Sequence, residues 1–323
     1  AEGEGCSMSV AVITANPTPE FRAGGTDFSE RRRSGVSQGA PIDISAIGDK
    51  TIAWDAEGAV QIGALTTIAA IATDARISAA YPGIAASARG LATPQVRHVA
   101  TLGGNLAQRS RCWYFRRADI DCLKKSGSTC PARSGNHLYG VAFDLGDCVA
   151  PHPSTMAAAL LAYEARIITD RRSELTIAGL LGDGSVAHAD HTLAAGEMIK
   201  NIMLPAPLEG ERACYKRAIG RAHAEWPLVE LCARVVITGG KFQLVRLAAG
   251  GIAPVPLRLT AAEVQLTGKV ANEETIAEAA TAASSGAKPL PMTGYKLDLL
   301  QGLVRDVLER LSEQSVAHHG PRT

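Results

Sequence analysis

Four of the seven cysteines fall within one stretch of the chain, at Cys112, Cys122, Cys130 and Cys148. Four thiolates can hold a cubane iron–sulfur cluster or a structural zinc ion. No C-x-x-C pair is present, so a long loop would have to wrap around the metal, and the spacers "RADID", "KKSGST" and "PARSGN" are suitably polar. Lys124 and Lys125 would offset the negative charge of a thiolate-bound cluster. Four unconnected thiols are the alternative, and the spacing alone leaves both interpretations open.

Two loops each carry a pair of adjacent glycines: "FRAGGTDF" (21–28), the first glycine loop, and "TLGGN" (101–105), the second glycine loop. Adjacent glycines let the backbone turn tightly and point successive N–H groups at one spot, which makes a nest for phosphate. Two nests would suit the two negative groups of a diphosphate, and Thr26 adds a hydroxyl donor. Ordinary glycine turns are the alternative. Neither loop is a G-x-G-x-x-G or Walker sequence, which disfavours a Rossmann dinucleotide fold and a nucleotide triphosphatase.

The composition narrows the class of protein. With 323 residues, 46% of them hydrophobic, the chain can form two or three domains. The formal net charge of +1 makes nucleic acid and anionic membranes poor partners. No apolar run approaches the roughly 18 residues of a membrane span, and no secretory signal is seen at the N-terminus. No G-x-S-x-G or H-E-x-x-H motif occurs, and no catalytic residue is predicted.

Alternating elements must position these loops. The pattern predicts a strand at 41–45, a hairpin over 51–64 turning at Glu57-Gly58, and helices over 66–77 and 81–92. A helix capped by Ser154 and then a strand are expected over 152–169, and a proline-rich joint at 204–211 is the best domain boundary.

Beyond that joint, the pattern suggests a helix over "LVELCARVVIT" (228–238) that runs into a hairpin. Residues 295–315 predict an amphipathic docking helix. Its apolar face comprises Leu297, Leu300, Val304, Val307, Leu308 and Leu311.

Three segments carry a family resemblance: "FRAGGTDF", "PQVRHVATLGGNLAQ" and "AAGGIAPVPLRLTAAEVQLTGK". Together they resemble, in the same order, the FAD-binding medium subunit of molybdenum hydroxylases, which include carbon monoxide dehydrogenase, xanthine dehydrogenase and bacterial aldehyde oxidoreductases. "NLAQRSRCWYFR", the spaced cysteines and "CVAPHPSTMAAALLA" are similar to the flavin subunits of periplasmic-type aldehyde oxidoreductase and 4-hydroxybenzoyl-CoA reductase. In that subgroup, an inserted loop carries a [4Fe–4S] cluster near the flavin.

The resemblance implies an α+β fold. Residues 1–48 and 49–208 would form the two α+β subdomains of a vanillyl-alcohol-oxidase-type FAD-binding fold, and 209–315 a C-terminal α+β domain of the carbon monoxide dehydrogenase flavoprotein type. Residues 316–323 would be a tail. The inserted loop, at about 106–150, is called the cysteine loop below.

For FAD, the resemblance implies contacts from both glycine loops and from two later positions. Simpler members carry an aspartate where this chain has Ala150-Pro151, so His152 or a backbone group would replace that contact. "CYKRA" resembles the family's lysine-bearing segment near the isoalloxazine ring, which makes Lys216 a candidate; a solvated strand lysine is the alternative. The implied FAD contacts are Arg22, Ala23, Gly24, Gly25, Thr26, Asp27, Phe28, Thr101, Gly103, Gly104, Asn105, Gln108, His152 and Lys216. The implied cluster ligands are Cys112, Cys122, Cys130 and Cys148, to the exclusion of Cys6, Cys214 and Cys232.

The function implied is electron transfer. A partner large subunit with the molybdenum cofactor would oxidise an aldehyde, a small subunit with [2Fe–2S] clusters would pass the electrons on, and FAD here would deliver them to an external acceptor. Xanthine dehydrogenase-like and 4-hydroxybenzoyl-CoA reductase-like complexes are alternatives within the family. A zinc-stapled binding protein and a stand-alone FAD oxidase are alternatives outside it. We expect a cytoplasmic location, or a periplasmic one by co-export with a signal-bearing partner.

Overall fold

The computed structural model describes residues 19–317, with side chains through Glu313; Cys6 and most of the predicted tail lie outside this range. The chain begins with two short parallel strands, β1 (Glu20–Arg22) and β2 (Pro41–Asp43), joined through helix α1 (Phe28–Arg33). The first glycine loop therefore lies between β1 and α1. The strand predicted at 41–45 is confirmed over its first three residues.

A five-stranded sheet with strand order β3-β4-β7-β5-β6 forms the central unit, and all its strand pairs are antiparallel. Its strands are β3 (Ile52–Trp54), β4 (Val60–Gly63), β5 (Arg166–Thr169), β6 (Leu175–Thr176) and β7 (Ile199–Leu204). Its helices are α2 (Ile68–Thr73), α3 (Ala75–Ala80), α4 (Pro82–Gly90), α5 (Pro94–Val99), α6 (Leu102–Leu106), α7 (Pro131–Ser134), α8 (Thr155–Ala162) and α9 (Ile177–Leu181).

Local signals explain several of these boundaries. The predicted hairpin is present as β3 and β4, and Gly58 has a φ of +90°, which glycine adopts without strain. Ser154 caps α8 by accepting a hydrogen bond from the Ala157 N–H. The helix expected over 66–77 is divided, because the Asp74 side chain accepts the Ile77 N–H and starts a new helix there.

A four-stranded antiparallel sheet with order β11-β10-β9-β8 forms the C-terminal unit. Its strands are β8 (Glu211–Ala218), β9 (Val229–Thr238), β10 (Lys241–Gly250) and β11 (Leu257–Arg258), and its helices are α10 (Thr260–Leu266), α11 (Glu273–Ala282) and α12 (Tyr295–Ala317). The helix predicted over 228–238 is wrong: this segment is β9. Both faces of β9 are covered, so its buried residues run almost without a break and the alternation of a half-exposed strand is lost.

The C-terminal helix packs on its own chain. The apolar face predicted for it is buried against β9, with Val304, Val307 and Leu308 fully shielded from solvent. The amphipathic docking helix predicted over 295–315 is therefore confirmed, and it docks on the sheet of its own chain. No helix among residues 19–317 combines the length and the apolarity needed to cross a bilayer.

The central and C-terminal units share one hydrophobic core, into which Cys232 and Ala248 project from β9 and β10. Beside this core, Glu164 takes a left-handed backbone conformation, with a φ of +55°. Its carboxylate lies 2.9 Å from the Arg246 guanidinium and 3.6 Å from those of Arg234 and Arg258. One acidic residue of the central unit thus anchors three arginines of the C-terminal sheet.

Candidate functional site

The first glycine loop packs backbone to backbone against the chain that leads into the second. A Cβ atom added to Gly24 would lie 1.7 Å from the Val99 carbonyl oxygen, so only glycine fits there. Gly25 has a φ of +72°, which also favours glycine. The two glycine loops, far apart in sequence, are therefore brought side by side.

In the second glycine loop, the two glycines serve different purposes. Thr101 caps α6 by accepting the Gly104 N–H at 3.2 Å. Gly103 packs tightly on Ala64, since an added Cβ would lie 2.9 Å from the Ala64 Cβ. At Gly104, by contrast, an added Cβ would meet only the Thr101 hydroxyl within 4 Å, because this glycine faces an open cleft.

Both glycine loops line that opening, the first cleft, with a volume of about 390 Å³. Segment 193–199 lines the same cleft. The structure places ten of the implied FAD contacts here: Ala23, Gly24, Gly25, Thr26, Asp27, Phe28, Thr101, Gly103, Gly104 and Gln108. A cleft of this size lined by two glycine loops fits a phosphate-bearing ligand.

Asp27 joins the first glycine loop to the cysteine loop. Its carboxylate accepts hydrogen bonds from Arg31 Nε at 2.9 Å and from Arg116 at 2.7 Å, and it lies 3.0 Å from Arg111. Burial alone would raise the pKa of Asp27, but the Arg111 and Arg116 guanidinium groups hold it below its ordinary value. Glu30, on the first turn of α1, accepts from the same two arginines at 2.6 and 2.7 Å.

The four cysteines of the cysteine loop surround one small cavity: Cys112, Cys122, Cys130 and Cys148. All four are free thiols. The neighbouring Cys148 side chain and nearby backbone N–H groups lower the pKa of Cys130 below its ordinary value. Burial raises the pKa of Cys112. Among the described residues, no group of three or more Cys, His, Asp or Glu side chains is arranged to hold a metal ion.

Lys124 connects this thiol cavity to Asp190, which directly precedes the cleft-lining residue His191. Its side chain lines the cavity, and its ammonium lies 2.7 Å from the carboxylate of Asp190 and 2.8 Å from the Ala189 carbonyl oxygen. Asp190 also accepts a hydrogen bond from Arg109. Burial would raise the pKa of Asp190, yet Lys124 and Arg109 hold it well below its usual range.

A second cleft, of about 380 Å³, opens between the cysteine loop and the C-terminal unit. Cys112 and Tyr114 line both this cleft and the thiol cavity. Its rim is aromatic: the Trp113 and Tyr139 rings lie 5.6 Å apart, and the Arg111 guanidinium lies 4.7 Å from the centre of the Trp226 ring.

Lys296, at the start of α12, is buried in the wall of the second cleft and donates to the Gly251 carbonyl oxygen at 2.7 Å. Burial lowers the pKa of Lys296 to about 7.

Comparison with known proteins decides the family. Residues 6–207 match the family model "FAD binding domain in molybdopterin dehydrogenase", and 213–311 match "CO dehydrogenase flavoprotein C-terminal domain". The aldehyde oxidoreductase FAD-binding subunit PaoB of Escherichia coli K12 is 32% identical over 268 residues, which cover 80% of this chain and 82% of that protein. The chain belongs to the FAD-binding medium subunits of the molybdenum hydroxylases.

Solved structures show the same fold for this medium subunit. Quinoline 2-oxidoreductase from Pseudomonas putida 86 superposes with a TM-score of 0.70 at 19% identity, over 92% of this chain and 90% of that one. Carbon monoxide dehydrogenase from Hydrogenophaga pseudoflava gives 0.69 at 22% identity, over 90% and 88%. The predicted α+β fold, a FAD-binding domain followed by a carbon monoxide dehydrogenase-type domain, is confirmed.

Four implied FAD contacts of the medium subunit do not line the first cleft. Arg22 pairs with Asp43 at 2.9 Å, and Asn105 is buried beneath the second glycine loop, where it accepts the Ser154 hydroxyl at 2.7 Å. His152 is buried with its Nε2 unpartnered, and burial lowers its pKa to about 4. Lys216 lies on the α12 face of β8, with its ammonium 2.9 Å from Asp306, so it contacts neither cleft.

Sequence reasoning missed Asp190, Glu30 and the second cleft of the medium subunit. Asp190 is brought to Lys124 only by the folded chain, and no local motif marks it. Glu30 had one available signal: it is an acidic residue three positions after Asp27 on a segment that precedes a basic loop. The second cleft joins the cysteine loop to residues 220–228, which are distant in sequence.

Proposed function

We propose that this medium subunit binds FAD and transfers electrons within a heteromeric, molybdenum-containing aldehyde oxidoreductase. The observation that carries the proposal is the convergence of both glycine loops on one cleft, with Gly24 pressed against the Val99 carbonyl and Gly104 left open to the ligand. The similarity to an aldehyde oxidoreductase FAD-binding subunit, across most of both chains, supports the aldehyde class.

The first cleft fits the diphosphate of FAD. Gly25 and Gly104 carry no side chain where they line the cleft, so a ligand can approach the backbone closely there, and Thr26 contributes a hydroxyl to the same cleft. FAD has a planar group at each end, and the chain offers a second cleft of similar volume whose aromatic rim suits a planar ring. Gln108 lines the first cleft and accepts from Arg111, which lines the second. FAD, when bound, would supply the capacity to accept electrons and pass them on.

The cysteine loop fits a [4Fe–4S] cluster ligated by Cys112, Cys122, Cys130 and Cys148. The four thiols line one shared cavity, and a cubane needs four thiolates, one for each iron. Lys124 supplies a positive charge at the cavity wall. The match to a FAD-binding family model counts against the zinc-stapled alternative, which would contain no flavin.

The partners proposed are a large subunit with the molybdenum cofactor and a small subunit with [2Fe–2S] clusters, followed by an external electron acceptor. The aldehyde is oxidised on the large subunit, and this chain receives and passes on the electrons. The location of the complex stays a prediction: either the cytoplasm, or the periplasm by co-export with a partner subunit.

A xanthine dehydrogenase-like complex is the second candidate. The xanthine dehydrogenase FAD-binding subunit of Escherichia coli O157:H7 is 29% identical over 100 residues, 30% of this chain. This shorter match makes it the weaker candidate.

The test is purification of the native complex with analysis of its metals and flavin. We expect one FAD and about four irons in this subunit, the content of one cubane. Bleaching of flavin absorbance should follow addition of an aldehyde, but not of xanthine. A colourless subunit that contains zinc, or flavin bleaching by xanthine alone, would contradict the proposal.

A further inference from the structure

We propose that the basic side chains of the cysteine loop form an ionic clasp between two segments that line the first cleft, so that cluster assembly and FAD retention stabilise each other. The clasp consists of Arg109, Arg111, Arg116 and Lys124. This inference rests on the proposed function, because it concerns how one chain holds both cofactors.

On the wall of the first glycine loop, two carboxylates hold two arginines of the clasp. Arg116 reaches Asp27 and Glu30 at 2.7 Å each, and Arg111 reaches the same pair at 3.0 and 2.6 Å. The Arg116 side chain is 9% exposed and that of Asp27 13%, so these pairs are shielded from solvent. Partly buried, multiply bonded pairs of this kind are worth far more than exposed ones.

Next to segment 193–199, a single carboxylate holds the other two cations. Asp190 accepts from Lys124 and from Arg109, and its own side chain is 5% exposed. Asp190 directly precedes His191 and the segment 193–199 that lines the first cleft. The cysteine loop is therefore tied both to the first glycine loop and to the residues that lead into segment 193–199, and both segments line the first cleft.

The cysteine loop has little regular secondary structure. Its regular structure is limited to one 3₁₀ turn (Leu123–Lys125) and the four-residue α7. The separate apolar cluster beneath it contains three buried residues: Ala132, Val141 and Val149. Thiolate ligation would add a further constraint, because metal binding is coupled to folding of the chain around the metal.

The clasp residues lie close to the proposed cluster ligands in the sequence, so ordering the ligands also orders the clasp. Arg111 directly precedes Cys112, and Lys124 follows Cys122 by two residues, so fixing these thiolates fixes the cations beside them. A bound cluster that orders the clasp would restrict the motion of the two segments that line the first cleft. By thermodynamic linkage, FAD bound in that cleft would in turn stabilise the cysteine loop. The cluster should therefore raise the affinity for FAD, and FAD should slow the release of iron.

The test measures FAD affinity by fluorescence titration of the full-length chain, with the cluster intact and after removal of iron by a chelator. We expect the cluster-free chain to bind FAD at least tenfold more weakly. In Lys124→Met and Arg116→Gln, the ratio between the two affinities should fall to about threefold or less. Lys124→Arg should restore the wild-type ratio, since it keeps the charge that Asp190 pairs with.

Arg117→Gln is the matched control. Arg117 belongs to the same loop, but its guanidinium is 64% exposed and pairs with Asp119 of that loop alone. Its removal should leave the affinity ratio unchanged.

A reciprocal measurement needs no variant. Iron release from the wild-type chain to a chelator should be slower with FAD bound than without it. Equal FAD affinities with and without the cluster, or equal rates of iron release with and without FAD, would overturn the clasp. Absence of iron or FAD from the wild-type chain would instead refute the proposed function, so the two failures are distinguishable.

Discussion

Replacing Gly104 by alanine should lower the affinity for FAD without lowering the stability of the fold. The added methyl group would enter the first cleft and approach only the Thr101 hydroxyl, at 2.8 Å, within the protein. Because Gly104 lies within α6, alanine should favour the helix by about 0.5–1 kcal/mol, less the cost of that contact. The free energy of unfolding of the FAD-free chain should therefore change little.

The affinity for FAD, in contrast, should fall strongly. The methyl group would hold the diphosphate away from the backbone of the second glycine loop and so weaken its hydrogen bonds to the first glycine loop. A hydrogen bond to a charged group contributes about 1.5–3 kcal/mol. Loss of one such bond raises the dissociation constant of FAD about 10- to 100-fold.

The assay pairs fluorescence titration with FAD and thermal unfolding of the FAD-free chain. Gly302→Ala is the matched control: Gly302 is an exposed glycine within α12 with nothing within 4 Å of an added Cβ. That variant should gain helix stability and bind FAD as the wild type does. A Gly104→Ala variant whose FAD affinity stays within about threefold of wild type would refute the placement of the diphosphate.

Four further outcomes are expected. Cys112→Ser should lose most of the iron and weaken FAD retention, whereas Cys214→Ser, on the α12 face of β8, should keep both; iron and flavin analysis decides, and equal iron contents would contradict the ligand assignment. Lys124→Met should lower the reduction potential of the cluster in a potentiometric titration, since a cation beside the cavity favours the more negative reduced state; an unchanged potential would show that Lys124 does not act on the cluster. The folded pKa of His152, about 4, lies below its unfolded value of 6.5, so the unfolded chain binds the extra proton between these values. Stability should accordingly fall by up to about 3 kcal/mol as pH drops through that window, and His152→Phe should abolish this dependence in pH-resolved denaturant titrations. In size-exclusion chromatography of native material, the chain should elute with partner subunits, and a fully active lone chain of 33.7 kDa would contradict the proposed assembly.

Local sequence signals predicted local structure well. The cap at Ser154, the turn at Gly58 and the two glycine loops each depend on a few adjacent residues, and each is present in the fold. Such features follow from backbone sterics and from single hydrogen bonds, which the sequence displays directly.

Features that depend on partners from elsewhere in the chain were harder to predict. The segment that forms β9 is buried on both faces, because α8 and α12 cover it from opposite sides, and its mostly apolar residues lack the alternation that would distinguish a strand from a helix. Lys216 carries the right residue type, but alternation along β8 turns it towards Asp306. The role of Asp190 follows only from its meeting with Lys124.

The anchoring of three arginines by Glu164 limits how this protein can be recombined with its relatives. The proline-rich joint near residue 207 invites chimaeras that exchange the C-terminal half at that point. Such an exchange would separate Glu164 from Arg234, Arg246 and Arg258, and would divide the core that Cys232 completes. Successful hybrids should therefore need a donor that supplies the same arginines, or a crossover placed before Glu164. The visible joint in the sequence is thus a poor guide to which segments can be inherited independently.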